Sequence, residues 1–235
     1  MTVVALCETF DKVSSLRCAI NGIGRIRLVF CVTNNDQTSS FTSRLIHSFL
    51  RQSSGEKLRI IKWIVWGRLK ILPFPLHNPR SIRCIKSFSP DIGLHATSVI
   101  YRQELFDYFS VGVLNAHIGF LPSYRGRSVM EWSIFFGDRT AITTFFMDPS
   151  IDTGERIILR IIVDGTFLKT RLEKKNYLFS LDGIMYRKAL ERLLKDATYC
   201  LHAQKPEGGL RYYVMSDLFL SVVDRIIHSS PQSGK

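Results

Sequence analysis

The chain has 235 residues, of which 46% are hydrophobic and 11% aromatic. This composition excludes a disordered chain, which buries too little apolar surface to offset the entropy of ordering, and it fits one α/β domain with or without a small appendage. The net charge of +12 favours polyanionic partners such as nucleic acid, nucleotide diphosphates or anionic lipid, although a solvated basic surface with no specific partner explains it equally well.

Cysteine and histidine spacing argues against a metal site. The five cysteines are odd in number and no two form a C-x-x-C pair, and the histidines are scattered. The N-terminal stretch contains Glu8 and Asp11 and has too short an apolar run for a signal peptide. No apolar run reaches the ~18 residues that a membrane helix needs. We therefore expect a cytoplasmic protein with no metal and no membrane span.

The first half of the chain alternates apolar runs with segments of helical spacing. Asp11 is the predicted N-cap of the first helix. Residues 59–66 are compatible with either a strand or a basic amphipathic segment. The other predicted elements are, in order, a strand at 2–7, a helix at 11–20, a strand at 26–33, helices at 39–52 and 80–88, a strand at 91–97, a helix at 102–109 and a strand at 112–119.

The second half continues this alternation and ends in a helical region. It contains a helix at 128–137, strands at 141–147 and 155–163, a long helix at 177–197 and a tail at 228–235 that we expect to fray. The pattern predicts an α/β fold with a doubly wound, mostly parallel sheet. We expect a catalytic domain at 1–165 and a short helical C-terminal extension packed on it at 166–235.

Two motifs have ordinary structural explanations beside functional ones. The sequence Asn-Gly-Ile-Gly-Arg at 21–25 precedes a strand, whereas a dinucleotide fingerprint follows one, so a helix C-cap and turn are predicted. Residues 59–74 interleave basic and aromatic side chains. They could contact a membrane surface or nucleic acid, or form a half-buried strand with a basic outer face.

Polar residues converge near the ends of two predicted strands. Asn115 and His117 are two apart in the strand at 112–119, so their side chains share a face. Asp152 lies in the loop at 147–154, which follows another apolar strand. Because sites in such sheets form at the carboxyl ends of strands, the three side chains could meet there. The alternative is a buried Asn and His that cap loops.

The order of these motifs resembles the folate-dependent formyltransferase family. An N-x-H motif is followed by L-P-x-Y-R-G, a helix with a Trp, an apolar strand and D-x-x-I-D-T-G. The family includes methionyl-tRNA formyltransferases, whose N-terminal catalytic domain is the part resembled, and nucleotide-sugar N-formyltransferases. The resemblance implies a Rossmann-like fold, 10-formyltetrahydrofolate as formyl donor, and a catalytic trio of Asn115, His117 and Asp152.

By the same resemblance, the pterin of the donor would lie against main chain around Val99 and Ile100. The loop that contains Met147, Asp148 and Ile151 would form the rest of this pocket. The segment 99–105 reads Val-Ile-Tyr-Arg-Gln-Glu-Leu, where the family has an aliphatic-Leu-Pro sequence. The sequence therefore differs from the family pattern in part of the expected folate pocket.

The motif around His117 also differs from the family pattern and contains the expected acceptor contacts. The family usually has Pro after the His, where this chain has Ile118, and its S-L-L-P appears here as Gly-Phe-Leu-Pro at 119–122. Arg125 and Gly126 turn the chain beside the site. Arg125 could contact an acceptor phosphate, although a structural ion pair explains it equally well.

The acceptor amine is predicted less directly than the donor. A glycinamide ribonucleotide acceptor is disfavoured because Cys-Glu-Thr-Phe-Asp-Lys, at 7–12, has no glycine to cradle a phosphate. Too few residues follow the I-D-T-G motif for the C-terminal barrel of the methionyl-tRNA enzymes. We favour a nucleotide-linked amino sugar. The alternatives are a shortened methionyl-tRNA formyltransferase and a non-catalytic folate or nucleic-acid binder, and a homodimer is left open.

Overall fold

The computed structural model describes residues 1–34, 41–148, 156–203 and 209–229. Contacts divide the chain into two compact units, Met1–Leu114 and Asn115–Lys235. This boundary differs from the expected functional division at 165 and 166, which stays a prediction. Within the described residues, every helix is too short or too polar to cross a membrane.

The first unit is a parallel sheet flanked by helices. Its strand order is β3-β2-β1-β4-β5, and each of these four pairings is parallel. The predicted α/β fold class with a mostly parallel sheet is therefore confirmed. The elements are β1 (Thr2–Cys7), α1 (Phe10–Ile20), β2 (Arg27–Thr33), α2 (Phe41–Leu50), α3 (Ser54–Val65), β3 (Leu69–Leu72), α4 (Pro79–Lys86), β4 (Ile92–Ala96), α5 (Gln103–Phe106) and β5 (Gly112–His117), which ends in the second unit.

Local chemistry in the first unit corrects two predictions. The N-cap of α1 is Thr9, whose hydroxyl accepts from the Lys12 N–H, whereas Asp11 lies inside the helix and accepts from Arg51 at 2.7 Å. Residues 59–65 belong to α3, so the strand alternative was wrong, while the basic amphipathic alternative stays a prediction. The turn after α1 is confirmed, because Gly22 follows the cap with a φ of +85°.

A charged contact joins α1 to α3. Arg17 of α1 lies 2.5 Å from the Glu56 carboxylate, and Arg59 lies 2.6 Å from the same oxygen. The Glu56 side chain is 16% exposed, so the surrounding protein screens this pair less than bulk water would. Burial alone would raise the pKa of Glu56, but the hydrogen bonds from Arg59 and Arg17 outweigh it and hold the pKa below its ordinary value.

Glu56→Gln should therefore remove a pH-dependent part of the stability. A carboxyl with a lowered folded-state pKa contributes stability above its unfolded pKa, about 4.3, and loses it as pH falls through the folded value. The wild type should be more stable than the variant near neutral pH, and the difference should shrink below about pH 4. Urea unfolding midpoints across this range measure the effect. Parallel curves for the two proteins would contradict it.

The second unit combines an antiparallel sheet, a two-stranded ribbon and four helices within its described residues. The β7–β8 and β8–β9 pairs are antiparallel, and the β6–β10 pair is parallel. The elements are β6 (Tyr124–Gly126), α6 (Val129–Phe135), β7 (Ala141–Phe146), β8 (Arg156–Ile162), α7 (Arg171–Ser180), α8 (Asp182–Lys195), β9 (His202–Ala203), β10 (Leu210–Tyr212) and α9 (Asp217–Ser229).

Two predictions for the C-terminal region need correction. The single helix expected at 177–197 is two helices, α7 and α8, which meet at Leu181. A capping box of Thr170 and Glu173 starts α7 earlier than predicted. The chain is still helical at Ser229, because α9 places Val223 and Ile227 in a core cluster with Met215, so fraying does not begin at residue 228.

Candidate active site

The end of β5 places Asn115 and His117 two residues apart, as predicted. Asn115 is half-buried, and His117 is buried with 8% of its surface exposed. The His117 ring meets the Phe145 ring of β7 edge to face, with centroids 6.5 Å apart at 87°. Alternation along the strand puts Asn115 on this same face. The amide and the imidazole therefore lie on one side of the strand, at its carboxyl end.

A main-chain contact fixes the protonation of one nitrogen of His117. The Nε2 atom lies 3.0 Å from the carbonyl oxygen of Tyr124. A carbonyl can only accept, so Nε2 carries a proton and donates it. Proton exchange or contact with a substrate would consequently use Nδ1. The structure thus selects the tautomer of the neutral ring and an orientation for the side chain.

Gly119 leaves the space in which this contact forms. A Cβ at this position would lie 2.6 Å from the His117 Nε2 and 2.7 Å from the Tyr124 carbonyl oxygen. Both values are far below an ordinary carbon contact of about 3.5 Å. Glycine is therefore required for the imidazole and the carbonyl to meet at this distance.

Thr143 of β7 holds the loop that follows His117. Its hydroxyl donates to the Gly119 carbonyl at 2.6 Å and accepts from the Leu121 N–H at 3.3 Å. Thr143 is fully buried. One hydroxyl therefore pairs with two main-chain groups of this loop.

Thr143→Val should destabilise the protein by about 1–3 kcal/mol, because it removes the hydroxyl that donates to the buried Gly119 carbonyl. Valine has nearly the same shape, so the hydroxyl is the main difference. Chemical denaturation measures the change, and Thr143→Ser, which keeps the hydroxyl, is the matched control. Equal stability of the valine and serine variants would contradict this role.

Arg160 of β8 supports the same loop from the side. Its guanidinium donates to the Leu121 carbonyl, and its central carbon lies 4.1 Å from the centroid of the Phe120 ring. Burial lowers the pKa of Arg160, but an arginine begins so high that it stays charged. A fixed positive charge therefore lies directly against the loop.

Tyr124 connects this loop to two further elements. Its hydroxyl donates to the Asp138 carboxylate at 2.5 Å, and its ring stacks on Tyr212 with centroids 5.2 Å apart and planes 16° apart. Burial, and then the hydrogen bond to Asp138 and its negative charge, raise the pKa of Tyr124 above its ordinary range. The hydroxyl therefore stays protonated and remains a donor.

The predicted acceptor contacts, Arg125 and Gly126, lie in β6. Arg125 donates to the Gly209 carbonyl at 2.9 Å, which gives it a structural role in joining the loop to the segment before β10. Gly126 has a φ of +95°, and a Cβ there would overlap the carbonyl oxygen of Tyr212. A phosphate contact for Arg125 stays a prediction.

The predicted donor-binding residues fall in both units. Val99 and Ile100 line a cavity of about 220 Å³ in the first unit, and 72% of the Ile100 surface is exposed. The other lining residues of this cavity are Leu76, His77, Ile82, Tyr101, Arg102, Glu104, Leu105 and Tyr108. An apolar wall with a few polar groups is typical of sites for small organic molecules. The pterin assignment stays a prediction.

Met147 and Asp148 directly follow β7 in the second unit. Met147 packs against the buried cluster of Leu121, Phe145 and Ile157. The other two predicted residues of this loop, Ile151 and Asp152, lie outside the described residues. The structure consequently brings together Asn115, His117 and the loop after them, while the third member of the predicted trio stays a prediction.

The sequence interpretation missed the residues that orient His117. Gly119 and Tyr124 were noted only as parts of a motif, and Thr143 and Asp138 were not considered. One signal was available for Thr143, because a polar residue at a buried position of a strand needs a specific partner. The partner itself depends on contacts between residues distant in the chain.

Together these features define an α/β protein with an amide and an oriented imidazole at the carboxyl end of one strand. The chain matches the family model described as formyl transferase over residues 21–170, more than half of its length, and it belongs to that family. Methionyl-tRNA formyltransferase of Geobacter sulfurreducens is 36% identical over 95 residues, which cover 40% of this chain and 30% of that protein.

Two solved structures show the same fold. The 4-N formyltransferase from Francisella tularensis superposes with a TM-score of 0.60 and 12% identity, covering 97% of this chain and 86% of that one. The formyltransferase PseJ from Anoxybacillus kamchatkensis, solved with UDP-4,6-dideoxy-4-formamido-L-AltNAc and tetrahydrofolate, has a TM-score of 0.53 and 15% identity, covering 98% and 100%. The predicted Rossmann-like formyltransferase fold is confirmed.

Proposed function

We propose that this protein is an N-formyltransferase that moves a formyl group from 10-formyltetrahydrofolate to the amine of a nucleotide-linked amino sugar. The observation that carries the proposal is the orientation of His117 at the end of β5, in a chain of the formyl transferase family. We assign the chemistry to residues 1–165, and a supporting role to the extension at 166–235.

The reaction requires the acceptor amine to attack the formyl carbon. The intermediate is tetrahedral, with an oxyanion and an initially cationic nitrogen. The Asn115 amide and the protonated Nδ1 of His117 donate hydrogen bonds to this oxyanion in our proposal. One such donor can lower the barrier by about 3 kcal/mol. Loss of the amine proton and departure of the folate nitrogen, which takes up a proton, then give the formamide and tetrahydrofolate.

Asp152 completes the proposed trio. A carboxylate near His117 would favour the imidazolium by charge pairing. It could also accept the amine proton, directly or through a water molecule. Asp152→Asn would keep the shape of the side chain and remove its charge. The variant should therefore have a lower turnover rate and a shifted pH dependence of turnover.

From the family resemblance we propose that Val99 and Ile100 contact the donor, and that Met147, Asp148 and Ile151 are also donor-binding residues. Support comes from the cavity beside Val99 and Ile100 and from the buried anchoring of Met147. Main chain at such positions can pair with the polar edge of a pterin, while apolar side chains cover its faces.

The nucleotide-linked acceptor is supported by charge and by fold. The net charge of +12 suits a diphosphate, and Arg125 and Gly126 lie in β6, the strand whose Tyr124 carbonyl contacts His117. PseJ, which shares the fold over 98% of this chain, was solved with a UDP-linked formamido sugar. The curated relative from Geobacter is instead a methionyl-tRNA formyltransferase, so tRNA is the second candidate acceptor.

An acceptor panel tests the proposal. The wild type is incubated with 10-formyltetrahydrofolate and, in separate reactions, a UDP-linked 4-amino sugar, the same sugar without its nucleotide, and methionyl-tRNA. Tetrahydrofolate release with the UDP-linked sugar alone is the expected result. Release with methionyl-tRNA, together with a salt-sensitive tRNA gel shift, would favour the second candidate. Folate binding without release in any reaction would identify a non-catalytic binder.

A further inference from the structure

We propose that Tyr124, Asp138 and Tyr212 act as positioning residues that hold the His117 imidazole in its reactive orientation. They reach His117 through the main-chain carbonyl of Tyr124. The inference rests on the proposed function, since it assigns these residues a role in the same reaction. It also assigns a role in the site to β10, which lies beyond residue 170, where the family match ends.

The His117 ring contacts the main chain of β6. The His117 Nε2 donates to the Tyr124 carbonyl at 3.0 Å, and the ring is 8% exposed. The position of this carbonyl therefore helps to set the direction in which Nδ1 points. A displacement of about 1 Å at a catalytic group can cost on the order of 100-fold in rate.

Contacts of the Tyr124 side chain fix the position of the Tyr124 carbonyl. Tyr124 is 6% exposed, and its side chain is held at both its polar and its apolar parts. The hydroxyl donates to Asp138 at 2.5 Å, while the ring stacks on Tyr212. Offset-stacked aromatic pairs at such centroid distances attract each other. Because Tyr124 is held at both its hydroxyl and its ring, the movement of its main-chain carbonyl is restricted.

β10, which contains Tyr212, pairs with β6. The Arg127 N–H donates to the Tyr212 carbonyl at 3.0 Å, and Tyr212 pairs in register with Gly126. Glycine at 126 and 209 permits this approach, because a Cβ at either would overlap a main-chain oxygen. The loop after His117 is thereby held against β10 by main chain as well as by the stacked rings.

The test combines kinetics with NMR of the His117 ring in the full chain. Tyr124→Phe removes the hydroxyl but keeps the ring, and Tyr212→Leu removes the stacking partner. For both variants we expect kcat to fall roughly tenfold with little change in KM. In the NMR spectrum of the His117 ring nitrogens, the signals of the single Nε2–H tautomer should be replaced by those of a mixture of the two tautomers. Tyr212→Phe, which keeps an aromatic ring, should recover the single tautomer.

A control variant and a replacement variant accompany this test. Tyr213→Phe removes a hydroxyl from the adjacent, exposed tyrosine and should leave both readouts unchanged. If Tyr124→Phe does not fold, Asp138→Ala removes the same hydrogen bond from the exposed side. Wild-type tautomer and kcat in folded Tyr124→Phe and Tyr212→Leu would overturn the proposal. The ring spectrum requires no turnover, so it tests the positioning even if the wild type transfers no formyl group to any acceptor.

Discussion

His117→Ala should lower kcat by roughly 100- to 1,000-fold, the range seen when one oxyanion donor is removed from an enzyme. The variant removes the imidazole that β5 presents and Tyr124 orients. Asn115→Ala should have an effect of similar size, since it removes the other proposed donor on the same face. Steady-state rates with saturating 10-formyltetrahydrofolate and acceptor measure both variants.

The matched control is His228→Ala. His228 lies in α9, its ring contacts the Asp224 carbonyl, and it is exposed. The His228→Ala variant should retain wild-type kcat. This result would show that a lower rate in His117→Ala comes from loss of the site residue and not from loss of just any histidine. Near-normal turnover of His117→Ala would remove His117 from the proposed mechanism.

Gly119→Ala should lower kcat by on the order of 100-fold while the protein still folds. The added methyl group would lie 2.6 Å from the His117 Nε2 and 2.7 Å from the Tyr124 carbonyl oxygen, so the ring and the carbonyl must separate. A shift of about 1 Å in a catalytic group is enough for an effect of this size. Rates and thermal unfolding, measured together, distinguish displacement of the ring from loss of the fold.

Gly24→Ala is the control for this substitution. A Cβ at Gly24 would meet nothing within 4 Å, so stability and rate should both stay near the wild-type values. A Gly119→Ala protein with a wild-type rate would show that the His117–Tyr124 contact is unimportant for turnover.

The fold class and the position of two site residues were predictable because they depend on local patterns. Alternating apolar runs and helical segments predict a parallel sheet, and the unit with β1 to β4 confirms it. Asn115 and His117 were predictable because they lie two residues apart near the end of an apolar strand, a spacing that puts both on one face.

The support around His117 was not predictable in the same way. Thr143 and Tyr124 act on the site through contacts with Gly119 and Asp138 that are formed only in the folded chain. Sequence patterns specify which residues are polar but not which distant group satisfies them. The overlap at Gly119 likewise depends on where the His117 ring points.

Misassigned helices have a similar explanation. The pattern of residues 59–66 left a strand and a basic amphipathic segment open, but α3 starts earlier, at a Ser53 cap that accepts from the Glu56 N–H. The break at Leu181 was not predicted within the long helix at 177–197, because both α7 and α8 present apolar residues to buried clusters there. Caps and breaks depend on single residues, whereas periodicity averages over many.

Transfer of a labelled formyl group tests the central claim most directly. The wild type is incubated with 10-formyltetrahydrofolate labelled with ¹³C in the formyl group and with a UDP-linked 4-amino sugar. Our account predicts a ¹³C formamide on the sugar and an equal amount of tetrahydrofolate, with both greatly reduced in His117→Ala. A wild-type protein that forms no ¹³C formamide on either this sugar or methionyl-tRNA would contradict it.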